Sequence, residues 1–222
     1  MVKQRDAFLE SEGNAFYSRN KADALSSISR SGSDEPVLRA MEFTGVSPRS
    51  TLEIGCANGW RLSLVAARYG SAVAGIDPSA DALADGRRSM PHADLRHGTA
   101  DELPFADHQF DTVIFGFCLY LCDPQDLFRI AAEADRVLAD KGYLIIHDFH
   151  PDVPHAREYA HLRPLRSHKM DYGTMFSWHP AYQLIAVFPF ASDYRMPPTC
   201  ADTREATRVF YKDIAAAFPS RG

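Results

Sequence analysis

Long basic runs, membrane-length apolar stretches and paired cysteines are all missing from this 222-residue chain. Lysine and arginine number 24 against 29 aspartates and glutamates, a formal net charge of -5. A protein that clamps nucleic acid through its phosphates needs a basic stripe. None is visible, so no nucleic acid is expected as partner; a small-molecule partner is untouched by this exclusion. The longest apolar run, "TVIFGFCLYLC" at 112–122, is far short of the roughly 20 residues that cross a bilayer. The opening "MVKQRDAFLESEGNAFY" lacks the apolar core of a signal peptide. No membrane partner is therefore expected, and a cytoplasmic location is. The four cysteines, Cys56, Cys118, Cys122 and Cys200, have neither zinc spacing nor a disulfide framework, which predicts reduced, mostly buried thiols. Repeats and low-complexity tracts are absent too.

What remains, 45% hydrophobic and 24% charged, is the composition of one ordinary domain with a sizeable core. Residues 1–45 read as helices; "SDEPVLRAMEFTG" has Asp34 near an N-cap, Pro36 in the first turn and Gly45 as a stop. From residue 50 short strands and helices alternate. "STLEIG" reads as a strand, "GWRLSLVAARYG" as a helix, "SAVAGID" as a strand, and "PSADALADGRRS" as a helix with Pro78 in its first turn. A weak strand near "ADLRHG" precedes "FDTVIFGF", an apolar strand of the fully buried kind. "DPQDLFRIAAEADRVLADKG" reads as a helix capped by Asp123 and followed by Gly142, with Leu127, Ile130, Ala134 and Leu138 as its buried stripe. "GYLIIHDF" is a further buried strand. The rhythm breaks over 150–180, and two late strands, "AYQLIAVF" and "ATRVFYKDI", follow without a helix between them, so one of them is expected to pair antiparallel. Alternation in the middle implies a parallel sheet covered on both faces.

The turn "EIGCANG" at 53–59 is the most informative stretch. A bare turn from strand to helix lets a ligand approach the backbone and aims amides at it. In an open parallel sheet, ligands gather beyond the carboxyl ends of the strands. A triphosphate loop needs G-x-x-x-x-G-K-[ST], and no such lysine follows. A dinucleotide fingerprint needs glycine where this chain has Gly55, Ala57 and Trp60, so two of its three positions fail. The third pattern is Glu53-x-Gly55-x-Ala57-x-Gly59, an acidic residue followed by small residues at alternate positions.

This resembles motif I of the class I S-adenosylmethionine-dependent methyltransferases. "HGTADELPFADHQFDTVIF" is similar to a segment of the methyltransferase subgroup often called type 11, with Thr99 at its usual Asp or Asn position. The resemblance covers roughly residues 50–150. It implies a Rossmann-like α/β fold: a mostly parallel seven-stranded sheet with one antiparallel strand, in a single domain. Residues 1–45 would then be an N-terminal helical lid, 50–150 the cofactor core, 150–180 a substrate-cap insert after the fifth strand, and 181–215 the closing strands.

The implied cofactor is S-adenosyl-L-methionine. Its implied contacts are Glu53, Gly55, Cys56, Ala57 and Gly59 at the turn, then Asp77 and Pro78, with Asp77 on the ribose hydroxyls. Asp77 also reads as a helix N-cap, and both can hold at once. Thr99, Ala100 and Asp101 would lie along the adenine. Phe115, Gly116 and Tyr120 would meet the methionine portion or the reacting methyl, with Phe117, Leu119 and Leu121 as core packing. Tyr17 and Arg19 would meet the methionine carboxylate; alternatively their helix is solvated and Phe16 is its core contact.

"FLESEGNAFYSRN" and "SHKMDYGTMFSWHPAY" resemble stretches of a bacterial methyltransferase subgroup of uncertain substrate. The expected activity is methylation of a small polar molecule, a sugar or acid, on oxygen or nitrogen. A hydroxyl acceptor needs a base, and histidine titrates nearest neutral pH. His147, His150, Tyr172 and His179 are the candidate catalytic residues, and Lys169, Asp171 and Trp178 join the expected acceptor pocket. Lys169 and Asp171 read equally as a surface pair, and Tyr172 and Phe176 as packing. Strand period puts His147 and His150 on opposite faces, so no metal is expected. The alternatives are a non-catalytic S-adenosylmethionine-binding protein and a quinone-type C-methyltransferase.

Overall fold

The computed structural model describes residues 3–29, 35–191 and 202–220, with 22–29, 190 and 191 described by backbone alone. Its strands are β1 Ser50–Ile54, β2 Ala72–Asp77, β3 Asp94–His97, β4 Phe110–Gly116, β5 Leu138–Phe149, a small hairpin of β6 His155–Glu158 and β7 Arg166–Lys169, then β8 Tyr182–Ala191 and β9 Arg204–Lys212. Seven of them form one sheet in the order β3-β2-β1-β4-β5-β9-β8. β1 to β5 pair in parallel, and β9 runs antiparallel to both β5 and β8. The expected sheet is thus present, with β9 as its one antiparallel strand.

Side-chain alternation divides the apolar strands between two cores. Leu52, Ile54, Val113, Phe115, Leu144 and Ile146 face one way, into a cluster with Ile130 and Ala134 of α6 (Leu127–Val137) and Phe176 of α7 (Thr174–Ser177). Ile114, Ile145 and Val209 face the other way, against Val37, Leu38 and Met41 of α3 (Pro36–Thr44) and Val65 of α4 (Trp60–Tyr69). Leu62 of α4 and Leu83 of α5 (Ala80–Ser89) close a smaller cluster with Cys56 and Leu95. A continuous N-terminal helical segment precedes them: α1 Gln4–Ala7, a π turn Phe8–Glu12 and α2 Gly13–Ser29.

Asp34 lies outside the described residues; Glu35 beside it caps α3 by accepting the Leu38 amide at 2.8 Å. Three local expectations change. Ser79 caps α5 by accepting the Ala82 amide, so Pro78 precedes the cap rather than entering the first turn. Asp123 heads a short 3-10 turn, Pro124–Asp126, and its carboxylate accepts the Gln4 amide at 2.8 Å instead of an amide of its own helix. The helix over 123–142 stops at Val137, because Leu138 pairs with Phe110 as the first residue of β5. Lys141 then turns at φ 61° before the register resumes at Thr112 and Tyr143.

Candidate active site

β1, β2 and β4 all end at one rim of the sheet, and a cavity of about 580 Å³ opens there. That is within the roughly 300–1,000 Å³ of small-molecule sites. Its walls come from the ends of β1, β2 and β4, the segments after β3 and β4, the N-terminal helices, and Tyr159 and His161 of the insert.

The turn after β1 is shaped by positive φ at alternate residues: Gly55 76°, Ala57 48° and Gly59 73°. Four of its amides are engaged within the protein. Gly55 and Cys56 both donate to the Ile76 carbonyl, Ala57 donates to the Asp77 carboxylate at 2.8 Å, and Gly59 donates to the Cys56 carbonyl. A Cβ at Gly55 would come within 2.5 Å of the Cys118 Cβ. Glycine is needed there for backbone conformation and for packing between β1 and the segment after β4. What the turn offers a ligand is space.

Glu53 lies at the cavity floor, only 1% exposed. Its Oε1 accepts from Arg61, which also donates to Glu35 at 2.8 Å. Its Oε2 is buried and has no hydrogen-bond partner among the described residues. Burial raises the Glu53 carboxyl to about 7 against the opposing pull of Arg61. Asp77 accepts the Ser79 amide on one oxygen and the Ala57 amide on the other, each at 2.8 Å. Burial outweighs these bonds and raises its pKa to about 6. Asp77 therefore serves the turns after β1 and after β2; the α5 cap itself is Ser79.

Burial would raise the Asp101 carboxyl as well, but hydrogen bonds from Thr99 at 2.7 Å and Arg5 at 2.5 Å hold it below its ordinary value. Tyr17 lines the cavity and donates to Asp85 at 2.9 Å; burial and that bond raise it to about 12. Thr99, Ala100, Pro78, Gly116 and Tyr120 line the cavity too.

Other expected site residues lie elsewhere. Arg19 donates to Glu12 and to the Tyr159 hydroxyl at 2.9 Å, in a cluster that ties the N-terminal helix to the insert. Cys56 packs under Leu62 and Leu95, Gly59 is the N-cap of α4, and Phe115 points into the main core. His147 is buried behind Phe117, its Nδ1 2.9 Å from the Thr207 hydroxyl, and burial lowers its pKa to about 3. His150 follows β5 and accepts from Arg208 at 2.9 Å. Tyr172 is core, its hydroxyl donating to the His168 carbonyl, so its packing reading holds. His179 accepts the Ala181 amide at 3.2 Å, and Trp178 beside it is exposed.

Lys169 donates to the Asp202 carbonyl and Asp171 accepts from Arg208. None of these insert residues from 169 onward lines the cavity. Those that do, unforeseen, include Arg5, Phe8, Phe16, Trp60, Phe117 and His161. Phe16 reads from sequence only as the core contact of its helix, and no sequence pattern singles out Phe8.

Among the described residues no group of three or more His, Cys, Asp or Glu could hold a metal, and no helix is long and apolar enough to cross a membrane.

Residues 52–146 match the methyltransferase domain family. The chain is 30% identical over 110 residues to an uncharacterised methyltransferase of Synechocystis sp., covering 50% of this chain and 52% of that protein. It is 32% identical over 111 residues to the demethylmenaquinone methyltransferase of Alkalihalophilus pseudofirmus, covering 46% of each. It thus spans about half the length of these curated relatives. Among solved structures, the Burkholderia thailandensis 1,6-didemethyltoxoflavin-N1-methyltransferase, crystallised with its acceptor and S-adenosylhomocysteine, superposes with a TM-score of 0.68 over 96% of this chain and 91% of that one, at 14% identity. That likeness is one of fold. Residues 52–146 thus match a methyltransferase domain in sequence, and the sheet shares the fold of S-adenosylmethionine-dependent methyltransferases.

Proposed function

We propose that this protein transfers a methyl group from S-adenosylmethionine to a small molecule held in the same cavity. The observation that carries this reading is the buried carboxylate of Glu53, a residue of the cavity wall, whose Oε2 has no hydrogen-bond partner among the described residues. An unpaired buried oxygen is costly unless a donor reaches it. The ammonium of a methionine group fits that need. Asp77 fits the ribose hydroxyls, since each of its oxygens keeps a lone pair after accepting one amide. Thr99, Ala100 and Asp101 fit the adenine edge, and Gly116 and Tyr17 border the methionine end. When bound, S-adenosylmethionine supplies a sulfonium-activated methyl, which leaves sulfur as the acceptor atom bonds to it.

The chain's own part is alignment and exclusion of water. The N-terminal helical segment, read as a lid, covers the cavity through Arg5, Phe8, Phe16 and Tyr17. Gln4 fastens it by donating to the Leu121 carbonyl at 2.7 Å and accepting the Arg166 amide at 2.6 Å. Such a lid must open to admit cofactor. For a hydroxyl acceptor, His161 is the histidine in the cavity wall and the best-placed base, whereas His147, His150 and His179 are engaged elsewhere.

The sugar-or-acid expectation rested on residues 167–182, which do not line the cavity, so it loses its support. A second reading, C-methylation of a quinol, is favoured by the similarity to a demethylmenaquinone methyltransferase.

The test is transfer of isotopically labelled methyl from S-adenosylmethionine into fractionated small-molecule extracts. Label in a small-molecule product is the expected result. Binding of the cofactor with label in no fraction would favour a non-catalytic binding protein.

A further inference from the structure

We infer that the acceptor end of the cavity takes a flat unsaturated ring, an aromatic or heteroaromatic methyl acceptor stacked on Phe117; this rests on the methyl-transfer reading above. Phe117 has φ 66°, a conformation that a bulky side chain adopts only when its surroundings impose it. Its amide donates to the His147 carbonyl at 2.9 Å, which fixes that backbone to the end of β5. Thus held, Phe117 lines the cavity while Leu119, two residues on, is fully buried.

An aromatic bed supports the ring. Its centroid lies 4.9 Å from Phe149, 5.1 Å from Tyr120 and 5.5 Å from His147. Tyr120 stands edge-on to Phe149 at 5.0 Å. Leu121 continues this wall into a cluster with Phe8, Phe16 and Tyr159, all of which also line the cavity. Offset and edge-to-face contacts of this kind are what a planar guest exploits.

The polar groups nearby are mostly engaged, and this argues against a sugar. The Tyr159 hydroxyl donates to Glu12 at 2.7 Å, Arg5 binds Asp101, and Asp123 accepts the Gln4 amide. The Tyr120 hydroxyl makes no hydrogen bond to the described residues, which leaves it for one polar substituent of the guest. A saturated polyol would lose its water to a wall with few free partners.

The experiment is calorimetric titration of naphthalene-2,3-diol and of its saturated counterpart, decahydronaphthalene-2,3-diol, into the protein with and without S-adenosylhomocysteine. Glucose is the third probe. The aromatic diol should bind at least about ten-fold more tightly than the saturated diol or glucose. Phe117→Ala should lose about ten-fold or more of that affinity while keeping S-adenosylhomocysteine affinity within about two-fold. Tyr120→Phe should weaken the aromatic diol about three-fold or more, with an unchanged melting temperature. This second variant keeps the test decisive if Phe117→Ala fails to fold. Equal binding of both diols, preference for glucose, or no aromatic binding in either state of the protein would overturn the inference. Failure of S-adenosylhomocysteine to bind, with aromatic selectivity intact, would instead overturn the methyl-transfer reading.

Discussion

Replacing Asp77 by asparagine separates what this carboxylate does for the fold from what it does for a ligand. Two effects on stability oppose each other. Burial, partly offset by the Ala57 and Ser79 bonds, raises the folded pKa from 3.8 to about 6, a net disfavouring of the charged form by about 3 kcal/mol at 1.36 kcal/mol per pH unit. Asparagine removes that charge. It also offers one oxygen where the carboxylate offered two to the Ala57 and Ser79 amides, losing a charge-assisted bond of about 1.5–3 kcal/mol. The two are similar in size, so at pH 7 the variant should lie within about 1.5 kcal/mol of the parent, or about 6 °C in melting temperature for a domain of this size.

The sign of the pH dependence follows from the raised pKa. Between pH 6 and 4 the folded parent takes up a proton that the unfolded chain does not, so the parent gains stability as pH falls. The variant lacks this gain and should fall behind by up to about 3 kcal/mol at pH 4. Affinity for S-adenosylhomocysteine at pH 7 should drop by about 1.5–3 kcal/mol, roughly 10- to 150-fold, if the carboxylate also holds the ribose. Thermal melts at pH 7 and 4 and one titration at pH 7 suffice. A stability gap that does not change with pH would refute the burial reasoning, and unchanged affinity would remove Asp77 from the site.

Arg61→Met should leave Glu35 and Glu53 buried without their shared cation and cost about 3–5 kcal/mol, read as a lower denaturant midpoint; a smaller loss than 1 kcal/mol would mean the ion triad is dispensable. Gly55→Ala should destabilise by at least about 1–2 kcal/mol from the φ of 76° alone, with more from the approach to Cys118; normal stability would contradict the packing role of this glycine. His147, lowered to about 3 by burial, gives stability that is complete above pH 6.5 and lost as pH falls toward 3; His147→Gln should therefore weaken the acid-side decline, measured by melts between pH 7 and 4. S-adenosylhomocysteine should slow hydrogen exchange over residues 4–21 if this segment is a lid, and equal exchange with and without it would return the segment to scaffold.

Much of the core was legible because its cues are local. The glycine turn, the apolar strands flanking it and the lack of helical periodicity in the sequence between the last two strands each carry their own pattern. The end of α6 was not. Ala139, Asp140 and Lys141 continue a helical composition, and only the pairing of Leu138 with Phe110 turns the chain into β5. Tertiary pairing outweighs propensity there. The acceptor wall failed for another reason. Composition marked 167–182 as rich in functional side chains, but it carries no information on direction, and Tyr172 and Lys169 turn into protein. Phe117 was hidden in an apolar run, since nothing in the letters announces a positive φ at phenylalanine. Arg61 was equally silent: its link to Glu53 and Glu35 exists only once α4 packs beside β1 and α3.

The central claim is that the rim of β1, β2 and β4 is an S-adenosylmethionine site organised around Glu53. Its most direct test is calorimetric titration of the parent and of Glu53→Gln with S-adenosylhomocysteine, and of the parent with NAD. The expected result is saturable, one-site binding of S-adenosylhomocysteine by the parent, about ten-fold or more weaker binding by Glu53→Gln, and no binding of NAD. Binding of NAD in preference to S-adenosylhomocysteine, or equal affinity of parent and Glu53→Gln, would contradict it.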